Sequence, residues 1–147
     1  MSANLNATST YGVASGAGTN AAVLLAGRVL LGLLFAYFGY MKMMNIGGTE
    51  QYFTKWGFPM PQVTAWVAVL FELVGGLMII VGWKTRWAAW ALAVYVVIAT
   101  CVAHRFWTYE AAQAFNQTSH FFKNLCIIGG MLLLAASGPG RYSIDKG

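Results

Sequence analysis

Glu72 lies near the middle of a strongly apolar stretch, Gln62 to Gly82. That stretch matches the ~20 residues an α-helix needs to cross a bilayer. A carboxylate at such a depth costs roughly 2.5–3.5 kcal/mol on insertion scales, so it faces a bundle interior and takes a partner. Arg28 sits some seven residues into the first apolar span, on a face shared with Leu31, Gly32, Phe35 and Gly39. If the two spans are antiparallel, the charges fall within roughly 5 Å in depth at the helical rise per residue. The expected arrangement is therefore a buried Arg28–Glu72 ion pair, with a proton relay through Glu72 as the chemistry it offers.

A second polar set gathers at one end of the bundle. His120, Lys123 and Asn124 share one helical face at the start of the last span, and His104 and Arg105 close the preceding one. One carboxylate cannot balance these cations, so the region suits an anion, a lipid headgroup or a quinone carbonyl. Snorkelling of Arg28 and Lys123 to the surface accounts for their charges without any ligand. Two histidines fall short of the three ligands of a catalytic zinc site, and both lie near the surface, so no metal site is expected.

The elements that position these groups are four apolar spans: about Ala21–Tyr40, Gln62–Gly82, Trp87–Ala103 and Ser119–Ser137. Pro59 and Pro61 precede the second span, and Gly138-Pro139-Gly140 stops the fourth. The turn Trp83 to Arg86 forces the second and third spans into an antiparallel hairpin. Tyr52, Phe53 and Trp56 recur at helical spacing within Gly48–Phe58, which predicts a short helix at the membrane interface. Aromatic residues such as Trp66, Trp83, Trp87, Trp90 and Trp107 cluster near span ends as an interfacial belt. Small residues four apart, Gly32 with Ala36, Ala89 with Ala93, and Cys126 with Gly130, mark faces where helices approach closely.

Composition agrees. Of 147 residues, 59% are apolar and only 9% are charged, against roughly 25% charged in a soluble domain. The mean hydropathy is +0.61. The fold class is all-α: a polytopic membrane protein built as an antiparallel four-transmembrane-helix bundle over residues 21–140, with a polar tail at 1–20 and a short one at 141–147. The tail, with no basic residue before the apolar run, does not read as a cleaved signal. The net charge of +5 is scattered, which argues against nucleic-acid binding. Cys101 and Cys126 sit in apolar runs without a CxxC spacing and read as structural thiols. Lysine and arginine counts nearly tie across the two sides; Lys84 and Arg86 in one very short turn place both termini in the cytoplasm.

The ordered set of motifs resembles the DoxX family of four-helix bacterial membrane proteins. It comprises Arg28 with Gly39-Tyr40-Met41-Lys42, Gly57-Phe58-Pro59, Glu72-x-x-Gly75-Gly76, and Gly82-x-x-Thr85-Arg86. It continues with Lys123-Asn124-Leu125 and Gly138-Pro139-Gly140 followed by Ser143-x-Asp145. The resemblance implies a bacterial inner-membrane protein, and it implies association with quinone-linked redox complexes. On that basis the chain is expected to contact quinone, its one expected cofactor, or to anchor a redox partner. Membrane lipids and other membrane or periplasmic subunits are the expected partners. There is no self-contained catalytic motif, so the chain is at most a membrane subunit of an oxidoreductase. The alternative is a non-catalytic structural or assembly subunit of a larger membrane complex. Transport of a small anion fits less well, since four spans make a thin wall and the two halves show no repeat.

Overall fold

The computed structural model describes residues 13–145. Helix α1 spans Val13–Met44, α2 Ile46–Lys55, α3 Pro61–Val81, α4 Thr85–Ala103 and α5 Ala111–Ser137, with a single 3-10 turn at Phe106–Thr108 between the last two. The helices α1, α3, α4 and α5 are each long and apolar enough to cross a membrane. The tail assigned to residues 1–20 lies partly outside the described residues, and α1 already begins at Val13.

Local chemistry explains the boundaries. Asn45 interrupts the helix and its side chain accepts from the Gly48 N–H, which starts α2. Pro61 occupies the first turn of α3, where its missing N–H costs nothing. Gly82 ends α3 at φ +73°, with its own N–H on Ile79 and the Trp83 N–H on Met78. This is a Schellman cap, which needs a left-handed residue. α5 starts earlier than the hydropathy signal. The stretch between the third and fourth expected spans is mostly helix from Ala111 onward. Its Ala-Ala-Gln-Ala run has high helix propensity, and polarity alone does not break a helix.

Helix α1 packs chiefly on α3, and α4 chiefly on α5, with α3 and α4 joined as a hairpin. The α1–α3 crossing is nearly backbone to backbone. A Cβ on Gly76 would sit 2.5 Å from the Ala36 nitrogen, and one on Gly39 would sit 2.5 Å from the Leu73 nitrogen. The expected Gly32/Ala36 face lies at this crossing, against Gly76. The core lies toward the α3–α4 turn, around Phe35, Ile79, Leu92, Met131 and Leu134. At the opposite end, Arg105 stacks over the Trp56 ring, so the two longer connections share one side of the bundle.

Candidate functional site

The buried stripe of α3 runs through Ala65, Ala68, Val69, Glu72, Gly76 and Ile79, a helical period that brings the carboxylate inward. Glu72 is only 6% exposed. Its partner is Lys42, whose Nζ contacts both carboxylate oxygens. A second donor, the Tyr95 hydroxyl from α4, reaches Oε1 at 2.6 Å. Three helices thus converge on one carboxylate. The Tyr95 ring lies parallel to Phe71, with centroids 6.0 Å apart. Phe71 faces outward, so this edge of the cluster borders the lipid. The Lys42 side chain remains about one-third exposed (32%).

The expected Arg28–Glu72 pair does not form. Gly39 is level with Leu73, whereas Arg28 is level with Gly82. The eleven residues from Arg28 to Gly39 amount to about 16 Å along the axis, far beyond a side chain's reach. Arg28 is nonetheless buried, at 2% exposure. It donates to the carbonyls of Pro139 and Tyr142, in a segment that folds back over the α3–α4 turn. That segment is a strap. The Ile144 and Asp145 N–H groups bond to the Val81 and Gly82 carbonyls. The Asp145 carboxylate accepts from the Thr85 N–H at 3.0 Å, and so caps α4. Backbone N–H groups of Lys84 and Thr85 hold the Asp145 carboxyl below its ordinary value. Arg86 ties α4 to α5 through the Ala135 and Ala136 carbonyls.

The second expected set is only partly assembled. His104 and His120 stack with ring centroids 5.1 Å apart, and His104 Nδ1 is 2.9 Å from the Gln117 side-chain oxygen. Asn124 donates to the Thr100 hydroxyl at 2.9 Å. Arg105 turns away to Trp56, and Lys123 is exposed. The set is therefore a helix–helix seam with two outward cations rather than one convergent pocket. Among the described residues, no group of three or more His, Cys, Asp or Glu is placed to hold a metal. Cys101 and Cys126 are both exposed on the bundle surface and unpaired.

Lys42 and Tyr95 were the residues missed. Lys42 reads as a span-ending cation, and Tyr95 as one apolar residue among many. The signal for Tyr95 was the hairpin itself: Glu72 and Tyr95 are equidistant from the Trp83–Lys84 turn, which places them side by side.

A family model described as DoxX matches residues 23–105. Inner membrane protein YphA of Escherichia coli is 36% identical over 124 residues, covering 84% of this chain and 89% of that protein. Inner membrane protein YqjF of the same organism is 37% identical over 126 residues, with the same coverage. ER-derived vesicles protein ERV29 of Saccharomyces cerevisiae is 26% identical over 124 residues, a match spanning 33% of its length. No solved structure matches the chain.

Proposed function

The chain belongs to the DoxX family, and from that premise we propose that it is the membrane subunit of a quinone-linked redox complex, holding a quinone headgroup at Lys42, Glu72 and Tyr95. Its four apolar helices and its inner-membrane relatives make it a multi-pass inner membrane protein. One observation carries the ligand reading. An ammonium and a phenol both contact one buried carboxylate, beside an outward-facing aromatic ring.

The chemistry of this set fits a quinone. Lys42 and Tyr95 donate hydrogen bonds, as carbonyl oxygens require. Glu72 accepts them, as hydroxyls require. Phe71 offers a flat face on the lipid side, where a hydrophobic ligand arrives. When bound, a quinone supplies the electron carriage that none of these side chains performs. The chain's own share is to bind, to orient and to hold or release a proton at the Glu72 carboxyl. Electrons pass to and from a redox partner, which docks where Trp56 and Trp107 crown the α2 end. In this reading Arg105 and Lys123 contact anionic lipid headgroups beside the His104–His120 and Asn124 seam.

The test is quinone extraction and quantification after purification in mild detergent, for the native chain and for Tyr95→Phe. Retained quinone that falls in Tyr95→Phe supports the reading. Consistent absence of quinone, also after its addition, overturns it. Stable co-purifying subunits with quinone content indifferent to Tyr95→Phe instead mark a structural or assembly subunit.

A further inference from the structure

The polar groups of the bundle are distributed unevenly about Glu72. On the α2 side, Lys42 contacts the carboxylate and is itself about one-third exposed. Tyr52 of α2 packs against Phe53 and Trp56 at that end of the bundle. Tyr52 is 45% exposed. The carboxylate thus reaches that surface through one partly exposed ammonium.

The strap side is sealed. From Glu72 to Gly82, about 15 Å of helix, the interior is filled by Phe35, Gly76, Ile79, Leu92 and Met131. Among the described residues, no polar side chain is buried in that layer. The α1–α3 backbones touch there, leaving no width for a water file, which would need polar partners in any case. Beyond the layer stands the buried Arg28 guanidinium, and a fixed positive charge of this kind repels protons.

We propose that Glu72 exchanges protons with one side of the membrane only, the side bearing α2 and the 3-10 turn, so that the bundle contains a proton half-channel closed toward the strap. The carboxyl passes its proton to and from solvent at the Lys42 Nζ and Tyr95 hydroxyl contacts. The ionisable groups in contact with it are Lys42 from α1 and Tyr95 from α4. α5 brings none to this level except Cys126, which points outward. The proposal goes beyond the quinone reading and does not depend on it. A carboxyl with one-sided access is a proton-loading site for whatever chemistry occurs beside it, and it fixes the compartment that gives or receives the protons.

The experiment uses the full chain, freed of quinone, in vesicles of a single protease-verified orientation. Infrared difference spectra are recorded after a pH jump on one side at a time. The expected result is a carboxyl band that responds to pH on the α2 side and not on the strap side, and that is lost in Glu72→Gln. Glu72→Asp, which keeps the charge and shifts the band, supplies the assignment if the glutamine variant does not fold. A band that follows strap-side pH, or both sides alike, overturns the proposal. So does a Glu72 band that stays fixed across every pH at which the bundle is folded. Because no quinone is present, failure here is distinct from failure of quinone retention.

Discussion

Removing the Lys42 ammonium tests whether Glu72 is held by one partner or by its general surroundings. Breaking a buried ion pair by deleting one member costs about 3–5 kcal/mol. The Lys42 side chain is 32% exposed, and Tyr95 still donates to the carboxylate. Lys42→Met is therefore placed at the low end, about 3 kcal/mol, or roughly two decades in the folding equilibrium. Glu72→Leu costs less, about 1–2 kcal/mol, because the lysine head can rise along its stem to water. The double variant Lys42→Met/Glu72→Leu leaves no stranded charge and should fall within about 1 kcal/mol of the native chain. Unfolding in mixed detergent micelles, followed by circular dichroism, measures all four corners of the cycle. A double variant as unstable as the sum of its single changes refutes the reasoning. A parallel cycle with Arg28→Met and Glu72→Leu should be additive within about 0.5 kcal/mol, since those sites share no partner.

Gly76→Ala should destabilise the bundle by about 1–3 kcal/mol, because its Cβ would stand 2.5 Å from the Ala36 nitrogen; the same unfolding assay reads it, and a neutral result would deny the backbone contact. The folded Asp145 carboxyl is held low by the Lys84 and Thr85 N–H groups, so the strap's hold is complete above the unfolded carboxylate value and drains as pH falls below about 4. Proteolysis of residues 139–145 against pH should show this release, and Asp145→Asn should remove the pH dependence. Thiol labelling of intact cells at Thr49→Cys and Gln113→Cys should succeed, and at Lys84→Cys should fail, if the strap side is cytoplasmic; the reverse pattern inverts the topology.

The four spans were legible because the requirement they satisfy is local. A bilayer asks each segment for length and apolarity, and both are visible residue by residue. Interhelical pairing is a different kind of information. Arg28 and Glu72 fall within roughly 5 Å in depth when each span is counted from its own apolar edge, but α1 runs from Val13 to Met44 and slides along α3 until its glycines meet. That slide moved Lys42 onto Glu72 and left Arg28 at the opposite end. The register was set by Gly32, Gly39 and Gly76, of which Gly32 read as a packing face without revealing its partner. The strap was invisible for another reason. Its hydrogen bonds are made by backbone carbonyls, which every residue carries, so nothing in Pro139 to Ser143 announces a guanidinium site. Ser143-x-Asp145 stood out only as part of a motif series.

The order in which the ribosome delivers these parts gives the strap a role in time. Arg28 enters the membrane with the first helix, while the Tyr142 carbonyl that receives it is 114 positions further along the chain. Throughout synthesis of the three remaining helices the guanidinium has no native acceptor, and a bare cation in hydrocarbon is costly. Synthesis of the strap ends that exposure, and a segment downstream of all four spans closes onto α1. A polypeptide interrupted before Pro139 would keep all four spans yet leave Arg28 without the carbonyls that receive it.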